Sequence, residues 1–202
     1  MENKRTFLVE KILLITVLIV SVWGFWYFEE SLFLRILSIV FALGGVWLVF
    51  RKSAETSKLT SQRELLVLFI LYLGFLSFYN LLYGMNLPIY VILSGISILT
   101  VVTFYSLFGL DDFKNLLGKE VFHVLIALLT IVVLELFLSL YFWPVAPETK
   151  SLILVVILYL IMSLVYLHIH SMLRLKRVAG YLVVSLLILG AILLITWLEF
   201  GK

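Results

Sequence analysis

Two residues, Arg35 and Glu135, carry all the charge inside the apolar stretches of this chain. Alone at mid-membrane, either would cost about 2.5–3.5 kcal/mol on the insertion scale, so each calls for a partner or a task. A carboxyl reached by water suits a proton or substrate path; a carboxyl beside an arginine suits an ion pair. Arg35 stands about 3 residues, and Glu135 about 8, inside the end of its apolar stretch. At 1.5 Å per residue their depths differ by roughly 7–8 Å, which a long guanidinium side chain spans. An Arg35–Glu135 pair in the outer half of the membrane is therefore expected. The competing arrangement has Arg35 snorkelling out to Glu29, Glu30 or headgroups, with Glu135 protonated and bonded to a hydroxyl.

A second set is Tyr159, Ser163, Tyr166 and His170, at i, i+4, i+7 and i+11 in the stretch Ser151–Arg177, with Arg174 and Arg177 extending the same face. Lipid offers hydroxyls and imidazoles no partners, so this polar seam is expected to turn toward other helices and to organise the bundle. As a proton path it would lead from midplane to His170. As packing, each side chain adds about 0.6 kcal/mol through bonds to neighbouring helices. Packing is the favoured reading, because similar strips recur in Tyr72/Tyr79/Tyr83, in Tyr90/Ser94/Ser97/Tyr105 and in Tyr181/Ser185. A short basic turn should set the last helix antiparallel to this one, bringing Tyr181 and Ser185 to the depth of Tyr166 and His170.

Other chemistry finds weaker footing. His168 and His170 are two residues apart, so a helix points them about 200° from each other. No cysteine and no suitably spaced acid joins them or His123 in a ligand set. No metal site and no cofactor is expected; these histidines read as interfacial, bonded to headgroups or backbone. Glu29, Glu30 and Arg35 resemble the Glu-Glu-x-x-x-Arg motif of glutamate-type intramembrane proteases, but the arginine comes one residue late and no midplane histidine motif follows. Leu93-Ser94-Gly95 is not a Gly-x-Ser-Gly nucleophile site, and His-Glu-x-x-His does not occur. The last span lacks a lysine for a retinal Schiff base.

The elements that must position these residues follow from composition. Apolar residues form 64% of the 202 and charged residues 13%, more apolar surface than a soluble domain of this size buries. The reading is an all-α membrane protein: one integral-membrane domain, 1–202, crossing seven times over about 12–28, 32–50, 65–83, 89–108, 121–143, 151–170 and 178–198. Trp23, Phe25, Trp26, Tyr27 and Phe28 close the first span as an aromatic belt, with no small-x-small cleavage site, so the span is read as uncleaved. Ser31 is placed to cap the second span. There Ser38, Ala42 and Gly45 form a small-residue strip that Arg35 shares. Arg51–Glu64 reads as the longest polar loop, with Ser61-x-x-Glu64 as a capping box starting the third helix. Leu110–Lys119 suits a short amphipathic turn at the membrane surface; a folded turn on the soluble side fits the same pattern. Pro144 and Pro147 stop one helix and start the next.

Seven crossings with the N-terminus inside put Lys4, Arg5, Lys11, Arg51, Lys52, Lys58, Arg63, Lys114, Lys119, Arg174, Lys176 and Arg177 on the cytoplasmic side. Arg35, Lys150 and Lys202 fall outside. This bias orients the chain N-in/C-out in a plasma or inner membrane. Outer turns near residues 30, 86 and 147 give three hairpins plus a last helix, a spacing that triplication or equal crossing lengths would both produce. No basic block with stacking aromatics suggests nucleic acid. The expected partners are the lipid bilayer and a membrane protein or a second copy. The expected function is a non-enzymatic membrane subunit or partner-binding protein. A proton-linked carrier of a small solute or lipid using Glu135 is the alternative, and a lipid-modifying enzyme the third class.

Overall fold

A computed structural model describes residues 2–50, 56–85, 87–110, 117–169 and 175–200. Among the described residues the regular structure is helical: α1 Glu2–Phe28, α2 Leu32–Phe50, α3 Thr56–Gly84, α4 Ile89–Leu110, α5 Lys119–Tyr141, α6 Pro147–Ile169 and α7 Leu175–Phe200. Five contain stretches long and apolar enough to cross a bilayer: Lys11–Phe28, Glu64–Gly84, Ile89–Phe108, Lys119–Tyr141 and Pro147–Ile169. Two carry shorter apolar stretches, Leu32–Trp47 in α2 and Val178–Leu194 in α7. The described residues are thus all-helical, with several helices apolar and long enough to suit a membrane-embedded protein.

Local signals set several of these ends. Ser31 caps α2: its carbonyl accepts Arg35 N–H at 3.0 Å and its hydroxyl accepts Leu34 N–H at 3.5 Å. Pro147 opens α6, where a missing N–H costs no helical bond. One boundary differs clearly from the sequence reading. α3 starts at Thr56, so Ser61-x-x-Glu64 lies inside the helix; residues 51–55 of the expected loop lie outside the described residues. Ser57–Glu64 contains lysine, glutamine, arginine and glutamate but no glycine or proline, so nothing stops the helix where the hydrocarbon ends. α1 likewise runs back to Glu2. Most of Leu110–Lys119 lies outside the described residues; at its end Gly118 takes φ +79°, which glycine adopts without strain, just before α5.

The chain divides into two compact units, Met1–Leu134 and Glu135–Lys202. In the first, α1, α3 and α4 pack mutually and α2 rests on α1 and α3. α3 is the most enclosed helix there: Val67, Ile70, Leu71, Phe75 and Tyr79 are wholly buried. Small residues let the backbones approach. A Cβ on Gly24 of α1 would lie 2.9 Å from Oγ and 3.0 Å from Cβ of Ser77 on α3. Gly45 of α2 sits against Leu66 and Leu18, and Ser38 of the same strip is buried. That strip therefore packs, as its spacing predicts.

In the second unit α6 and α7 form a hairpin and pack on each other. α7 buries one stripe, Ser185, Ile192 and Thr196, and exposes Leu182, Val183, Val184, Leu186, Leu187, Leu193, Leu194 and Trp197. A bilayer accepts such a face without further partners. α5 begins in the first unit and ends in the second. Its buried positions Phe122, Ile126, Leu129, Val133, Phe137 and Leu140 recur at helical spacing.

Candidate functional site

Arg35 belongs to the first unit and reaches back to the turn between α1 and α2. Its Nε donates to the backbone carbonyl of Glu29, and its guanidinium carbon lies 5.7 Å from the centre of the Trp26 ring, in range for a cation–π contact. The Glu29 carboxylate does not pair with it. Glu29 Oε1 instead accepts Ser31 N–H at 3.0 Å. Arginine, tryptophan and capping serine thus tie the ends of α1 and α2 together through one turn.

Glu135 opens the second unit, on the opposite side of α5 from its buried stripe. It is exposed, in line with exposed Val124, Leu128, Ile131 and Ser139 at helical spacing. Ser139 donates its hydroxyl to the Glu135 backbone carbonyl at 2.8 Å, leaving the carboxylate to other partners. Among the described residues, an acid inside a membrane-length apolar helix and on its exposed stripe is an unusual placement.

In the polar seam, Tyr159, Ser163 and Tyr166 are half-buried, and His170 lies outside the described residues. The fully enclosed positions of α6 are Ser151, Leu154 and Leu158, with Ile153 and Met162 close behind, so the seam runs along the flank of the buried stripe. The Tyr159 and Tyr181 rings meet edge-on at 6.0 Å, which makes α7 the seam's neighbour there. Tyr181 thus meets Tyr159, two turns before Tyr166 on α6, rather than Tyr166 itself. Ser185, one turn beyond Tyr181, is 1% exposed.

Most of the described serine and threonine hydroxyls share one bonding pattern. Ten of them, including Ser77, Thr100, Thr103, Thr130 and Thr196, donate to the carbonyl four residues back at 2.6–2.9 Å. Ser38 does the same three residues back, at 2.8 Å. Ser106 and Ser185 are buried with their hydroxyl oxygens unpartnered.

One buried cation was not singled out by the sequence reading. Lys150, 2% exposed in the first turn of α6, donates Nζ to the Tyr141 carbonyl at 3.1 Å. That carbonyl is the last of α5, where a positive charge meets the negative end of the helix dipole. The signal was present as a lysine three residues after Pro147, but its direction depends on the fold of the turn. His123 and His168 are exposed, and among the described residues no three side chains of His, Asp or Glu gather as a metal site would require.

Compared with known protein families, curated proteins and solved structures, the chain matches none. The functional reading therefore rests on the placement of these residues.

Proposed function

We propose that residues 1–202 form one integral-membrane protein crossing seven times, N-terminus cytoplasmic and C-terminus outside, in a plasma or inner membrane. It acts as a non-enzymatic membrane subunit that binds another membrane protein or a second copy of itself. One observation carries the binding role: Glu135 is exposed on the outward stripe of a membrane-length helix. A carboxyl is costly against lipid and is satisfied by a donor on another protein. A carrier would place such an acid on an inward stripe, where water and solute could reach it.

The chain has no cysteine, which makes the test clean. Ile131→Cys and Ser139→Cys, labelled in native membranes with a photoactivated benzophenone maleimide, flank Glu135 on this stripe. Each is expected to yield one adduct of discrete mass, lost when Glu135→Leu is added. The adduct mass separates a second copy from a different protein. Unchanged adducts in Glu135→Leu would refute the reading. So would a Glu135-dependent proton flux by the purified chain in liposomes, which would establish the carrier.

A further inference from the structure

We infer that the turn joining α1 to α2 is a binding site for a zwitterionic phospholipid headgroup, its phosphate held by Arg35 and its ammonium by Glu30. The inference rests on the membrane reading of α1 and α2, and on nothing proposed for Glu135.

The guanidinium offers five N–H donors. One, at Nε, is taken by the Glu29 carbonyl, while the Trp26 ring lies 5.7 Å from the guanidinium carbon. Those two contacts fix the plane of the fork. Its two terminal amino groups have no hydrogen-bond or ion-pair partner among the described residues. Such a pre-oriented fork matches a phosphate's two oxygens better than a free arginine does.

The level also fits. Trp26 lies two residues before the end of α1, and Arg35 three residues after the start of α2. At 1.5 Å per residue, both are roughly 3–5 Å inside the helix ends. The headgroup zone is about 5–7 Å deep on each side of the hydrocarbon, and exposed Trp23, Trp26 and Tyr27 are the side chains that settle there.

Charge then selects the headgroup. Glu29 and Glu30 flank the single guanidinium, so the turn is net negative and disfavours a bare anion, whether inorganic phosphate or an anionic lipid. The Glu29 carboxylate is occupied by Ser31 N–H. Glu30 is exposed and bonds to no described residue. A phosphoethanolamine headgroup brings a phosphate for Arg35 and an ammonium for Glu30, and so meets both charges.

The experiment uses the full chain purified in a non-ionic detergent and native mass spectrometry. The probes are dioleoyl phosphatidylethanolamine, dioleoyl phosphatidylglycerol and inorganic phosphate. The wild type is expected to retain one phosphatidylethanolamine in preference to phosphatidylglycerol. Arg35→Gln should weaken that retention about tenfold, and Glu30→Gln should reverse the preference toward phosphatidylglycerol. A merely structural Arg35 would not move lipid selectivity. Equal retention of both lipids by the wild type, or a preference that Glu30→Gln leaves intact, would overturn the site. Arg35-dependent displacement of lipid by millimolar inorganic phosphate would overturn the lipid source in favour of free phosphate. If Arg35→Gln loses helix content, Glu30→Gln decides alone, since Glu30 holds no fold contact. Carbonate extraction of membranes separates the two levels of failure. A chain released at high pH overturns the membrane reading, whereas a retained chain without lipid selectivity overturns this site alone.

Discussion

Replacing Gly24 by alanine should destabilise the first unit, although alanine is the better helix former. The intrinsic preference favours alanine by about 0.8–1 kcal/mol in a helix interior. Against it stands Ser77, whose Oγ and Cβ would lie 2.9 and 3.0 Å from the new methyl, where ordinary contact begins near 3.4 Å. Ser77 cannot rotate away cheaply, because its hydroxyl is bonded to the Leu73 carbonyl at 2.7 Å and its Cβ is fixed to the α3 backbone. The two helices must part by about half an ångström, and gaps of that size forfeit about a quarter of each contact's attraction across the interface. Overpacking of this kind costs about 1–3 kcal/mol. The net expectation is a loss of about 1 kcal/mol. Gly44→Ala is the internal control: no atom lies within 4 Å of its added methyl, so it should gain up to about 1 kcal/mol. Reversible unfolding in mixed micelles, followed by circular dichroism, reads both. Ser77→Gly should rescue Gly24→Ala by removing both close atoms. Gains of equal size at Gly24 and Gly44, or a double variant no better than the single, would refute the close packing of α1 on α3.

Three further outcomes are expected. Reporter fusions after Lys58, Asn115 and Lys176 should report cytoplasm, and fusions after Met85, Glu148 and Lys202 the outside; a single fusion on the opposite side breaks the seven-span orientation. Lys150→Met keeps the volume but leaves the Tyr141 carbonyl without its Nζ donor, so it should cost about 1–3 kcal/mol and speed proteolysis at residues 142–146; unchanged cleavage would mean the bond does not hold the turn. A double-mutant cycle on Arg35→Met and Glu135→Leu should be additive within about 0.5 kcal/mol, because Arg35 is already engaged by Glu29 and Trp26; a coupling above about 1 kcal/mol would instead support the ion pair.

What could be read from the residues alone was whatever depends on a few neighbours along the chain. Ser31 as cap, Pro147 as first-turn residue and the buried Ser38–Gly45 strip all follow from spacing within one or two turns. The apolar stretches likewise announce membrane-length helices, because hydrophobic length is a local property. Helix ends outside the hydrocarbon were less legible. Membrane length predicts where a span stops, but a helix continues until a breaker appears, and Ser57–Glu64 contains none.

The polar seam on α6 carries less packing information than its spacing suggests, for a physical reason. A stripe of hydroxyls reads as a demand for neighbouring helices, since lipid offers no partners. Yet most hydroxyls described here satisfy themselves on the carbonyl one turn back, so a Ser/Thr stripe carries little information about what packs on it. Glycine and the smallest side chains carry more, because they set how closely two backbones approach. Ser21 and Gly24 on α1, and Gly74 and Ser77 on α3, stand three residues apart in each helix and meet across the interface. Their spacing is visible in the sequence; their pairing is not, because it joins segments some fifty residues apart. Glu135 and Ser185 show the same division. That each is polar inside an apolar helix is legible at once, whereas the stripe each falls on depends on which way the whole helix turns. Rotating α5 by half a turn would exchange Glu135 for Phe137 on the exposed stripe and convert an exposed acid into a buried one. The functional class therefore hangs on helix rotation, a quantity that composition does not encode and that labelling along the α5 stripe measures directly.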